Sequence, residues 1–196
     1  MASASSERYS LRGTDRVTVT TGLRCGELLA LRWSDLDLEG RRLHIRQAVG
    51  LANGDPVFHE PKSRSRRSIS LSKETVRLLR RHRTTQNERR LASPVKWPEE
   101  ELVFTSTIGT VWGFRNFLRD YRAVLAATNI PNTDSVDWHT LRHTAASQWI
   151  PAGTSVFAVA RRLGHSSTST TERVYAHLLP RQDEIAAHAL DHLIAT

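Results

Sequence analysis

The stretch WHTLRHTAASQWIPAGTSVFAVARRLGHSSTSTTERVY, Trp138 to Tyr175, carries more of the fold than any other part of the chain. Leu141, Ala145 and Trp149 fall on one stripe, which predicts a helix over Trp138 to Ile150 with a single apolar face. Val156 to Leu163 predicts a second helix. Gly164 stops it, because glycine most easily takes the left-handed conformation that closes a helix. Ser166 to Thr171 (SSTSTT) reads as a polar loop before the segment that carries Tyr175.

Working outward, Thr21 to Leu38 (TGLRCGELLALRWSDLDL) sets Leu28, Leu29, Leu31, Leu36 and Trp33 around a short helix and an Asp-rich turn. RRLHIRQAV, PVFHEP and RRSISL then predict the three strands of a small antiparallel sheet. Asn53-Gly54 marks the first turn, and the basic loop Lys62 to Arg67 the second. Ser72 is a good N-cap for a basic helix through Arg90, which SPVKWPEE ends. Leu102 to Thr105 reads as a short buried segment. Phe114, Phe117, Leu118, Tyr121, Val124 and Leu125 predict the clearest helix of the chain. The expected class is α+β, mainly α-helical with a small three-stranded antiparallel sheet.

Both ends read differently from this body. In the first twenty residues, small polar residues lead into the β-branched run Val17 to Thr21, a poor helix former, so segment 1–20 is expected to be loosely ordered or truncated. The body is expected over 21–180, followed over 181–196 by an amphipathic helix carrying Ile185, Ala189, Leu190 and Leu193.

Composition narrows the function. The 196 residues carry 28 Lys and Arg against 20 Asp and Glu, a net charge of +8, with Arg doublets spread along the chain. Such a surplus on a folded body favours a polyanionic partner, because each cation set against a phosphate releases counterions. The single cysteine, Cys25, excludes an internal disulfide and a cysteine-only metal site. No stretch approaches the roughly 18 to 20 apolar residues of a membrane span, and Met1 to Ser10 lacks a signal-peptide core. A soluble cytoplasmic protein with no membrane partner is the expectation.

Residues suited to phosphate chemistry lie in separate places: Arg24 in TGLRCGE, Lys62 in the basic turn, His139 and Arg142 in HTLRH, His165 in LGHSS, and Tyr175. Each alone has an ordinary role. Arg24 can pair with Glu27 at i+3, Lys62 can serve solubility, His165 can close a helix, and Tyr175 can be core. His139 and His143 have the i, i+4 spacing of metal ligands. HTLRH lacks the glutamate of H-E-x-x-H, however, and places the Arg142 cation between the two, so no metal is expected there.

Taken together, T-G-L-R-x-G-E-L, a basic hairpin turn, H-x-L-R-H, L-G-H-S-S and a tyrosine ten residues beyond that histidine resemble the catalytic domain of the tyrosine recombinases, the phage-integrase family. The resemblance runs from about Thr21 to Pro180. It implies the DNA breaking-rejoining fold and site-specific recombination or integration of double-stranded DNA. No ATP or other cofactor is implied, because the bond energy is kept in a 3′-phosphotyrosyl link. It assigns Tyr175 as nucleophile, Arg24 and Arg142 as the phosphate clamp, and His139 to proton handling at the nucleophile. Lys62 would protonate the leaving 5′-oxygen, and His165 would hydrogen-bond the phosphate. Arg64, Arg66 and Arg67 would grip the DNA backbone, while Glu27 orients Arg24. Other recombinase protomers, as a tetramer on DNA, are implied partners.

The family's DNA-clamping domain has no room in the residues ahead of Thr21, so a catalytic domain alone is expected. Two rival readings follow: a DNA-binding remnant without catalysis, and a relaxation activity like that of type IB topoisomerases.

Overall fold

Thr14, Thr18 and Thr21 are fully buried within a helix, contrary to the expectation of a loosely ordered opening segment. The computed structural model describes residues 3–61, 66–128, 133 and 136–176. Helix α1 spans Ser3–Thr21. Its threonines fit because their hydroxyls bond back to the preceding turn: Thr14 Oγ1 donates to Leu11 O at 2.7 Å, and Thr20 Oγ1 to Arg16 O at 2.9 Å. The Thr18 hydroxyl is buried without a partner, but with the others bonded back the methyl faces bury beside Leu11 and Val17, and packing overrides a weak intrinsic propensity.

The short helix α2, Cys25–Leu29, follows, then a 3-10 turn over Trp33–Asp35. The three-stranded antiparallel sheet exists, though one of its strands is not the expected one. Its strands are β1 (Leu36–Asp37), β2 (Arg42–Ile45) and β5 (Arg67–Ser70), in the order β1-β2-β5. Register sets Leu43 opposite both Leu36 and Ile69, so one face of the ladder is apolar. The residues PVFH form β4 (Asp55–His59), which pairs with β3 (Ala48–Ala52) in a separate hairpin. RRLHIRQAV breaks into two strands because Gln47 leaves the ladder to donate from Nε2 to Ala30 O at 2.7 Å. The hairpin turns on Asn53 and Gly54, both at positive φ, as a tight two-residue turn requires.

Helix α3, Lys73–Leu91, starts on the Ser72 cap. Helix α4 is Phe114–Ala126, α5 is Trp138–Trp149, α6 is Val156–Leu163 and α7 is Thr168–Tyr175. Helix α7 takes in most of the expected SSTSTT loop, because the Ser167 hydroxyl caps it by accepting from Ser169 N at 3.2 Å. Leu102 to Thr105 is buried as expected, pinned by Val103 N to Leu31 O at 2.7 Å and by the Gln86 side chain, which also accepts from Trp33 Nε1.

The main core lies between α1, α3, α4, α5 and the sheet. A second cluster, Ala146, Ile150, Val159, Leu163 and Tyr175, sits among α5, α6 and α7. Gly26 lets α2 rest on β3, since a Cβ there would lie 2.4 Å from Val49 O. Among the described residues no helix is long and apolar enough to cross a membrane. The expected helix over 181–196 lies outside the described residues.

Candidate active site

The end of α6 organises the site. Gly164 takes the left-handed conformation at φ 68°, with its N–H bonded to Arg161 O and the His165 N–H to Ala160 O, a Schellman closure. This leaves the carbonyls of Arg162, Leu163 and Gly164 free at the negative end of the helix dipole. Three arginines from distant parts of the chain take them in order. Arg67 Nε donates to Arg162 O at 2.7 Å, Arg142 Nη2 to Leu163 O, and Arg24 Nη2 to Gly164 O at 3.0 Å. A side chain on Gly164 would collide with Arg67, its Cβ lying 2.6 Å from Nη1.

Glu27 joins two of the three. Its carboxylate accepts from Arg24 N at 2.9 Å and Arg24 Nη1 at 3.0 Å, and from both Arg67 terminal nitrogens at 2.9 Å. Burial alone would raise this carboxyl, but the Arg67 hydrogen bonds and charge, with those of Arg24, outweigh it and hold it below the usual range. Arg142, in α5, is 6% exposed and also donates from Nη1 to Gly22 O. Burial, and then the like charges of Arg24 and Arg67, bring it down to about 9. It is still a cation at neutral pH, and one whose charge an incoming anion would relieve.

His165 follows the α6 terminus. Burial first, and then Arg142, Arg24, Arg67 and His143, lower it to about 4, so the ring is neutral near pH 7. Its Nδ1 lies 2.8 Å from the hydroxyl of Thr171, one turn before Tyr175 in α7 and fully buried. The Tyr175 ring is 3% exposed, seated in the second core cluster. Burial raises its phenol while the Arg142 charge acts against that rise. Its Oη lies 2.6 Å from Nδ1 of His143.

The structure thus brings Arg24, Glu27, Arg142, His165 and Tyr175 into one site. Lys62 and Arg64 lie outside the described residues. His139 stands one helical turn before Arg142, exposed, and among the described residues its ring makes no hydrogen bond. Arg66 is exposed and ion-paired with Glu60. Arg67 departs from the expected backbone grip: its side chain is 6% exposed and committed to Glu27 and Arg162 O, because the buried carboxylate needs a fully desolvated cation.

Sequence reasoning also passed over His143 and Thr171, whose contacts depend on where α7 packs. Cys25 is buried and pushed up to about 12 by that burial, which leaves its thiol unreactive. Among the described residues no group of His, Cys, Asp and Glu could hold a metal ion. A groove of about 740 Å³ opens beside the site, with Arg42, Arg66, Arg161, His165 and Ser167 on its walls.

Comparisons with known proteins identify the family and the fold. The model of the phage integrase family matches residues 1–182. A tyrosine recombinase XerC-like protein of Caldanaerobacter subterraneus subsp. tengcongensis is 30% identical over 186 residues, 88% of this chain and 47% of that protein. An integrase of Streptomyces ambofaciens is 34% identical over 167 residues, 81% of this chain and 42% of that protein. The chain therefore spans about half the length of these curated relatives. Among solved structures, the Tn1549 transposon integrase in complex with transposon right end DNA superposes with a TM-score of 0.69 at 23% identity. That match covers 98% of this chain and 65% of that one, and it shows a shared fold.

Proposed function

The chain belongs to the phage integrase family, and from that premise we propose that it cleaves and rejoins double-stranded DNA at specific sites through a covalent tyrosyl intermediate. One observation carries the reading. Two guanidiniums, Arg24 and Arg142, are held near each other on adjacent carbonyls against their mutual repulsion, beside a buried tyrosine hydroxyl. A phosphodiester is the anion that this arrangement suits, since it relieves the repulsion and presents paired oxygens to planar donors.

In the proposed reaction Tyr175 Oη attacks phosphorus, the bond to the 5′-oxygen breaks, and a 3′-phosphotyrosyl link forms. Arg24 and Arg142 bind the nonbridging oxygens as charge grows on them. Because their carbonyl anchors are already in place, little reorganisation accompanies that step. Neutral His165, with Nδ1 occupied by Thr171, has Nε2 available to donate to the same phosphate. Lys62, in the segment between β4 and β5, supplies the leaving-group proton; His139, to which the resemblance gives proton handling at the nucleophile, stands exposed in the first turn of α5. Arg64 and Arg66 grip the DNA backbone. Further copies of the chain assemble with it on the DNA, and no cofactor takes part.

The test is a nicked suicide duplex carrying a candidate attachment site, resolved on a denaturing gel. A covalent protein–DNA adduct from the wild-type chain that disappears in Tyr175→Phe is the expected result. An adduct that survives Tyr175→Phe refutes the nucleophile assignment. Relaxation of a supercoiled plasmid without strand exchange would favour a topoisomerase-like activity instead.

A further inference from the structure

His143 stands one turn beyond His139 on α5, and the assignments above leave it without a part. It is nonetheless the residue on the nucleophile. Its Nδ1 lies 2.6 Å from Tyr175 Oη, a short hydrogen bond between two rings whose centroids are 5.9 Å apart and tilted by 50°. We propose that His143 is the general base of the strand-cleaving step: it holds the Tyr175 hydroxyl and takes its proton as the oxygen attacks. The inference rests on the strand-cleavage reading and deepens it.

Three observations support this role, and the first sets His143 apart from His139. A base must lie within hydrogen-bond reach of the proton it removes, and among the described residues His143 is the partner of that hydroxyl. The phenol also needs one. Its burial in the cluster of Ala146, Ile150, Val159 and Leu163 disfavours the phenolate, and the Arg142 charge acts only partly against that. Lastly, His143 is exposed at the surface while its Nδ1 reaches the buried oxygen, so a proton taken at Nδ1 can be passed to water from Nε2.

The step balances. The proton moves from Tyr175 Oη to His143 Nδ1, the oxygen's electron pair forms the bond to phosphorus, and the bond from phosphorus to the 5′-oxygen breaks. The leaving oxygen takes a separate proton, assigned above to Lys62. In the rejoining step the traffic reverses, and His143 returns its proton to the departing phenolic oxygen.

The experiment compares the full chain with His143→Asn, His143→Ala and Tyr175→Phe on the suicide duplex. Asparagine can keep a hydrogen bond to the hydroxyl but cannot accept its proton. Both His143 variants are expected to form adduct about 10²-fold more slowly with DNA retention in a gel shift unchanged. Added imidazole should restore part of the rate to His143→Ala and none to Tyr175→Phe. In 15N-histidine-labelled protein, the His143 Nδ1 signal should read as an unprotonated acceptor and shift in Tyr175→Phe.

Wild-type rates in both His143 variants would overturn the proposal, as would a slow alanine variant beside an asparagine variant of normal rate. A nitrogen signal indifferent to Tyr175→Phe would overturn it independently of activity. A wild-type chain that forms no adduct refutes the strand-cleavage reading itself, whereas adduct from wild type and equally from both variants refutes only the role of His143.

Discussion

Arg24, Arg67 and Arg142 are fastened to three consecutive carbonyls at the end of α6, whereas Tyr175 is held by ring packing and by the hydrogen bond between its hydroxyl and His143. The arginine half draws on α2, β5 and α5, so its geometry is over-determined by the main body of the fold. The tyrosine half depends on α7, an eight-residue helix packed on α6. In the proposed reaction the arginine half is therefore preorganised, with its donors fixed before any phosphate arrives. The proposed nucleophile is only as well placed as one short helix allows.

This contrast can be broken at its strongest point first. Arg142→Ala removes a proposed phosphate donor and leaves the carbonyls of Gly22 and Leu163 unmet. Adduct formation should fall by about 10²–10³-fold, and stability by about 1–3 kcal/mol, read by denaturant titration. Loss of adduct at unchanged stability would mean that the arginine is not part of the frame.

Gly164→Ala tests the helix end itself. The left-handed backbone costs an alanine about 1–2 kcal/mol, and its Cβ would press on Arg67 as well. The melting temperature should drop by roughly 2–8 °C, since about 1 kcal/mol corresponds to some 2–4 °C in a chain of this size. Adduct yield should fall with it. An unchanged melting temperature would show that the three carbonyls do not depend on the Schellman closure.

A third effect is a pH dependence. His165 has a folded value of about 4, below its ordinary value of about 6.5, so the unfolded chain binds the proton more readily. The stability this gives is present above pH ~6.5 and is lost as the pH falls toward about 4. Glu27, held low by Arg67 and Arg24 against its burial, adds a loss of the same sign at more acid pH, below the ordinary carboxylate value of ~4.3. Chemical denaturation across pH 4–7 should show His165→Asn with a flatter profile than wild type in the upper part of that range. A wild-type profile flat throughout would contradict this.

Much of this was legible in the chain because it is local. The stripe Leu141, Ala145 and Trp149, the Ser72 cap, the Asn53-Gly54 turn and the Gly164 stop are each decided within a few residues, and each appears where expected. Helix α1 was not legible, since the β-branched run Val17 to Thr21 is helical only because its threonine methyls have a core to enter. The partner of β2 was not either. The strand pairing turns on Gln47 reaching Ala30, and nothing in RRLHIRQAV announces that the ladder ends there.

The sequence by itself determined the residue types, their order along the chain, and hence the family, because motif spacing survives without coordinates. Only the tertiary structure decided how those residues divide their work. Arg67, beside Arg66 in the sequence, turns inward to a buried carboxylate while its neighbour stays in solvent. His143, an apparent companion of His139, meets a tyrosine 32 residues away. The physical reason is the same in both cases: hydrogen bonds and desolvation act over ångströms in space, and the packing of α5, α6 and α7 fixes those distances, not separation along the chain.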